Sequence, residues 1–400
     1  MPAPLVSALA LLPVLLLTGA DADAALPVAT PPIPVADTDA LARAPGTPTT
    51  LYVNFDGAVL RKGCGNDARR DCSSLADLFD GYVGPFTGSF AQRFSIIDAT
   101  RRDVDDFGVR VVMDRPPDDV DYSMVLYGDL GAQTFAGIAP YIDCGDLRPG
   151  DTSFSQGYTS PLSGATIILQ EAAHTWGLEH VDSPVDTLNP FKTSYNQAFT
   201  DQCHKIVANT DLDATSGACN QVHTLFCEAG YQNSWQEMLY LFGTPVPDTS
   251  SPTLTITSPE QGSVHALPVT LPLYGEITDD YHPQRYQIRI FQGDKLIYEE
   301  ESHVLSLNLE DPPAGAYELR VEIADEGGNM AEDVVSFEIL PEGSEVPGAG
   351  DTDTDGDGTE SGGADEGGCG VDRPSAPRGA LALLVLLAAA RRRRGSLAAS

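Results

Sequence analysis

The sequence predicts a multidomain chain: an α/β (α+β) unit, then an all-β sandwich, then a disordered acidic stalk and a C-terminal hydrophobic anchor. Three observations predict this. Strand-like alternation and helix-like spacing take turns between residues 49 and 243, only short alternating runs occupy 253–340, and apolar clusters vanish after 341 until a final apolar run. A length of 400 residues suits two or three domains, and 42% hydrophobic content is ordinary for folded protein. The formal net charge of −35 excludes nucleic acid as a partner, since phosphate binding needs clustered Lys and Arg. Acidity on this scale suits a soluble extracellular surface.

Residues 1–24 read as a signal peptide, with an apolar core from Leu5 to Leu17 and a small-x-small site at Ala22-Asp23-Ala24. Export to the outer cell surface or the medium is therefore expected. Residues 25–48, rich in Pro, Ala and Asp, read as linker. The first unit, 49–243, opens with Leu51, Val53 and Phe55 alternating as in a half-buried strand. Phe90, Phe94, Ile97, Val104 and Phe107 then recur at helical spacing before a Gly108 stop. "VRVVMDRPP" and "DYSMVLYGDL" predict two strands and "TFAGIAPYID" a shorter third, followed by a helix over "TIILQEAAHTWG".

A linker, 244–252, leads to about seven short alternating runs over 253–340, the pattern of a β-sandwich. Residues 341–368 are acidic and Gly-rich, a self-repelling stalk. Its "DTDTDGDG" superficially suggests calcium, but it lacks the distal Glu and hydrophobic flanks of a calcium loop, so calcium has no support and solvated linker is the better reading. Residues 369–400 hold Cys369, an apolar run from Gly379 to Ala390 that is short for a span of about 20 residues, and the cluster Arg391 to Arg394. Any membrane association is expected only through this segment before processing, and the protein is expected to be a monomer.

Six cysteines, Cys64, Cys72, Cys144, Cys203, Cys219 and Cys227, fall in the first unit. In an exported domain they point to three disulfides, with Cys64–Cys72 the natural local pair and the other connections open. The spacing of Cys219, His223 and Cys227 also permits a zinc site on one helical face.

The helix in "TIILQEAAHTWGLEHVD" reads Gln170, Glu171, His174, Gly177, His180. In His-Glu-x-x-His the two histidines lie one turn apart and face one zinc, with the Glu as base; a Gly three residues on turns the chain so that a further His can approach. The stretch resembles the metzincin metallopeptidases at every fixed position except the first, where Gln170 replaces His. "SWQEMLYLFG" offers Met238 and Tyr240 at the spacing of that family's Met-turn and its movable Tyr ligand. The resemblance implies zinc on His174 and His180, with Gln170 a weak or lost ligand, Glu171 as base and Tyr240 assisting. "TFAGIAPY" would be the edge strand along which an extended peptide or protein substrate pairs.

Two further resemblances complete the chain. "GEITDD" and the strand from Tyr317 to the turn "ADEGGN" resemble bacterial immunoglobulin-like modules, which act as spacers or adhesive units. Cys369, the short apolar helix and the Arg cluster resemble myxobacterial C-terminal sorting signals (MYXO-CTERM), which implies processing at Cys369 and retention at the surface. The whole reads as an exported, surface-anchored zinc metalloendopeptidase using zinc-bound water and a Glu base. A catalytically inactive pseudoprotease serving as a peptide-binding or adhesion module is the alternative. A Gln carbonyl is a harder, rarer zinc donor than imidazole, which leaves three states for the site: Gln170 coordinating weakly, zinc held by His174 and His180 with Tyr240 or water, or no zinc.

Overall fold

The computed structural model describes residues 26–31, 44–193, 196–208 and 210–347. The expected signal peptide, the stalk beyond 347 and the tail with Cys369 and Arg391–Arg394 lie outside the described residues. Contacts divide the chain into two compact units, meeting at Pro247 and Asp248.

The first unit is built on a mixed sheet. Strands β1 (Thr49–Asn54), β4 (Val109–Val112), β5 (Tyr122–Asp129) and β7 (Thr152–Gln156) run parallel in the order β4-β1-β5-β7, and β6 (Gly137–Ile138) closes the β7 edge antiparallel. A hairpin of β2 (Ala58–Val59) and β3 (Tyr82–Pro85) extends the sheet past the end of β5. β1 is buried on both faces rather than one. Leu51 and Val53 point to the main core with helices α1 (Phe90–Arg102) and α2 (Pro161–Thr175), while Tyr52 joins a second cluster with Met124, Leu126, Phe79 and Phe154. Parallel strands covered on both sides are the norm for such sheets.

α1 begins at a capping box in which Ser89 and Gln92 exchange hydrogen bonds, and it stops at Arg102, five residues before Phe107. Val104 and Phe107 are buried in the following turns, so their spacing reflects core packing rather than a longer helix. β7 was hidden in "TSFSQ", whose serines carry no alternation signal, and the expected strand over "TFAGIAPYID" shrinks to two residues. Residues 26–31, read as linker, pack on this unit instead: Val28 is buried with Ala136, Tyr158 and Ile167.

The disulfides are Cys64–Cys72, Cys144–Cys219 and Cys203–Cys227. They take both thiols of the alternative Cys219-His223-Cys227 zinc set and assign them to different bonds, so that set has no thiolate to offer. Two short strands, β8 (His204–Lys205) and β9 (Tyr231–Gln232), and two helices, α3 (Asn220–His223) and α4 (Ser234–Phe242), complete the unit.

The second unit is a β-sandwich of eight strands rather than seven. One sheet holds β10 (Thr253–Ser258), β12 (Thr270–Thr278) and β15 (Leu305–Glu310); the other holds β11 (Ser263–Ala266), β13 (Tyr286–Gln292), β14 (Lys295–Ser302), β16 (Gly315–Ala324) and β17 (Met330–Leu340), in the order β11-β17-β16-β13-β14. The extra strand, β11, is too short for its alternation to register in the sequence. Alternate residues Leu319, Val321 and Ile323 of β16 face Leu271, Leu273 and Leu305 across a single core. The Tyr317 hydroxyl donates to the Pro313 carbonyl at 2.6 Å, pinning the start of β16, and Asp325 accepts from the Asn329 amide at 2.7 Å to close the turn after it.

Ile288, on β13, is fully buried in this core. Ile288→Ala is expected to cost about 2–5 kcal/mol, read as a lower urea midpoint with an unchanged slope.

Candidate functional site

α2 starts at Ser160, whose hydroxyl accepts from the Ser163 amide, with Pro161 in the first turn. Every residue from Gly164 to Thr175 is buried. Two faces explain this. Ile168, Leu169, Ala172 and Ala173 pack into the main core, whereas Ile167, Gln170, Glu171 and His174, at i, i+3, i+4 and i+7, share the other face. The candidate site is that second face.

His174 Nδ1 lies 2.8 Å from the Leu178 carbonyl oxygen. A carbonyl only accepts, so Nδ1 carries the proton and Nε2 of the neutral ring is left as a lone pair. Gly177, at φ +102, turns the chain back, and a Cβ there would stand 2.6 Å from the Asp143 carbonyl oxygen. This return brings His180 Nε2 to 3.1 Å from His174 Nε2, with the rings edge to face. With the His174 proton on Nδ1, His180 Nε2–H donates to His174 Nε2; the distance is also close to the spacing of about 3.3 Å between two nitrogens bound to one tetrahedral zinc. Burial lowers the His174 pKa to about 4, against the hydrogen bond to Leu178 and the charge of Glu179. It drives His180 well below its ordinary value, with His174 adding to the effect. Both rings are therefore neutral, the form that binds metal.

Gln170 donates from Nε2 to the Asn189 carbonyl at 2.7 Å, and its Oε1 is buried without a partner. Glu171 is wholly buried with neither carboxyl oxygen hydrogen-bonded, and burial holds its pKa well above the usual carboxylate range. Buried polar atoms are nearly always satisfied. Three buried oxygens without partners, Gln170 Oε1 and both of Glu171, thus lie on the helix face that also bears His174. The edge strand closes over this set: a Cβ on Gly137 would fall 2.5 Å from Glu171 Oε1. A Gly inside a strand-like run marks such close approach, so Gly137 was legible in "TFAGIAP". Asn189, which has no spacing relation to the helix, was not.

The remaining expected residues fall elsewhere. Met238 lies inside helix α4 rather than in a turn, fully buried in the core that also holds Ala173, Trp176, Leu178 and Val181 around the two histidines. Tyr240, two positions on, faces away from Met238; it is about one-third exposed and its ring packs edge-on against Phe226. Residues two apart on a helix do not share a face, so Met238 enters the core while Tyr240 meets Phe226.

Behind the site, His223 bridges two buried carboxylates, with Nε2 3.1 Å from Glu179 and Nδ1 2.8 Å from Glu237. Glu179 also accepts from the Ala218 and Cys219 amides. Burial would lower the His223 pKa, but the two carboxylates outweigh it and hold the ring at about 9.

No protein-family model and no curated protein matches the chain. Solved structures show local likeness. The fibronectin(III)-like modules of Clostridium thermocellum CbhA are 18% identical over 22% of this chain and 46% of theirs, with a TM-score of 0.20. The PKD1 domain of Vibrio anguillarum Epp is 10% identical over 24% of this chain and 99% of that one, with a TM-score of 0.18. The PKD1 domain from Vibrio cholerae metalloprotease PrtV gives 11%, 22%, 98% and 0.16 for the same quantities. Likeness at this level carries no functional weight, and the sandwich rests on its own strand topology.

Two outcomes are expected. Gly177→Ala places a side chain at positive φ against backbone and should cost at least about 1–3 kcal/mol, read as a lowered Tm. His223, whose pKa is raised from 6.5 to about 9 on folding, contributes stability that is complete below pH 6.5 and is lost as pH rises through about 9. Chemical denaturation across that window should show stability falling with pH, and His223→Phe should flatten this slope.

Proposed function

We propose that the first unit is a metzincin-type, zinc-dependent endopeptidase site on an exported, surface-held protein, with Gln170 as a weakened ligand. The immunoglobulin-like sandwich then serves as a spacer, and Cys369 as the residue at which the tail is processed. The observation that carries the reading is the His174–His180 pair, Nε2 to Nε2 at 3.1 Å, on a helix whose same face holds the unsatisfied Gln170 Oε1 and Glu171 carboxyl.

His174 Nε2, His180 Nε2 and Gln170 Oε1 would hold the ion. Zinc supplies Lewis-acid polarisation of a carbonyl and acidification of a water. The chain's own residues do the rest. The Leu178 carbonyl fixes the His174 tautomer, and the Asn189 carbonyl holds the Gln170 amide nitrogen, leaving its oxygen free to bind. β6 offers backbone groups to an extended peptide. Glu171, next to Gln170 on the same helix face, would accept a proton from the attacking water and return it to the leaving amine nitrogen.

A second reading has its own support. Gln170, Glu171 and His174 are fully buried and His180 nearly so, an enclosure that favours a silent peptide-binding module. Zinc content and turnover separate the two. For the endopeptidase, elemental analysis of the exported chain should find bound zinc, Gln170→His should tighten it by at least about 10–100-fold and raise peptide hydrolysis, and Glu171→Gln in that background should lower hydrolysis by about 10²–10⁴-fold with zinc retained. Zinc without turnover in Gln170→His would leave the binding module standing.

A further inference from the structure

The segment Leu26–Pro31 precedes the first strand and lies outside everything assigned so far. Four hydrogen bonds fasten it. The Ala136 amide donates to the Pro27 carbonyl at 2.8 Å, and the Ala29 amide to the Gly137 carbonyl at 3.0 Å, so it lies along the free edge of β6. The Val28 amide donates to the Pro190 carbonyl at 3.1 Å, and the Thr30 hydroxyl to the Ala208 carbonyl at 2.8 Å.

Each anchor adjoins the candidate site. Gly137 is the residue pressed against Glu171 Oε1. Pro190 follows Asn189, whose carbonyl holds Gln170. Ala208 follows Val207, whose amide donates to the His180 carbonyl. The segment therefore links the edge strand to the Asn189–Pro190 turn and packs on α2 at Ile167. Val28, only 3% exposed, fills a pocket of Ala136, Tyr158 and Ile167, with Leu26 packed at its margin. Ile167 stands one turn before Glu171, on the same helix face.

We propose that Leu26–Pro31 is an intramolecular ligand of the site's peptide groove, and that the Val28 pocket selects a small branched apolar side chain in an extended peptide. Groove and ligand rest on the peptide-site reading above, whether or not the site turns over. The groove pairs the backbone through Ala136 and Gly137, which is indifferent to sequence; the Val28 pocket supplies the selectivity. While the segment is seated, a peptide in trans binds weakly, because only the fraction of molecules with an empty groove can accept it.

The test uses the exported full-length chain and a fluorescent peptide with the sequence of residues 26–31. Val28→Asp puts a carboxylate into an apolar pocket and should unseat the segment. Trans-peptide affinity is then expected to rise about tenfold or more over wild type, and amide exchange at Ala136 to quicken. A peptide carrying Asp in place of Val should not bind. Ala29→Pro, which removes only the donor to Gly137, should give a smaller change in the same direction and stands if Val28→Asp misfolds. Unchanged exchange at Ala136 with no trans binding in either variant would overturn the proposal. Peptide capture without hydrolysis, even after Gln170→His, would overturn the endopeptidase reading and leave the groove and its occupant in place.

Discussion

From Gly164 onward α2 has no face in water, and the rest of the first unit follows from that. A helix buried all round must satisfy its polar side chains from protein groups, since none can be left to solvent. The Leu178 carbonyl serves His174, the Asn189 carbonyl serves Gln170, and the turn at Gly177 delivers His180 to His174. Glu171 is the exception. Its carboxyl is enclosed without a single donor, a net cost to stability wherever it is not offset by a cation, a ligand or a proton. A strongly perturbed buried carboxyl of this kind is the sort of group that marks a candidate site.

The same region is fastened from behind. The Cys144–Cys219 bond links the loop that crowds Gly177 to the amide bound by Glu179, and Glu179 is the residue before His180. His223 and Glu237 extend this clamp to α4, whose Met238 is buried in the main core. Positioning therefore passes through neighbours on both sides of the Gly177 turn, and the spacing of the imidazoles is set by covalent and buried ionic groups together.

How much of this was legible varied with the physics of each residue. The spacing of Glu171, His174, Gly177 and His180 is local, so the sequence exposed the core of the site and the helix that bears it. The even cysteine count likewise foretold three disulfides. Residues joined only through the fold stayed hidden: Asn189 reaches Gln170 across a loop, and β7 pairs with β5 through serines that carry no hydrophobic alternation. Composition misled at Leu26–Pro31, where Pro and Ala read as linker although Val28 is buried. The Met-turn resemblance misled at Met238 and Tyr240, because both lie within a regular helix, where Met238 packs in the core.

The outermost strand of the sandwich has a consequence for crowding. β14 lies at the margin of its sheet with one row of backbone donors and acceptors lacking a neighbouring strand, and Leu296 and Ile297 are partly exposed on it. An open ladder of this kind invites a second copy to add on and zip into aggregates. Glu299, Glu300 and Glu301 stand consecutively along the same strand. Two copies brought together antiparallel at this margin would set carboxylate against carboxylate, and the overall charge of −35 would oppose their approach before contact. Charge on this strand therefore works against pairing between copies at that edge.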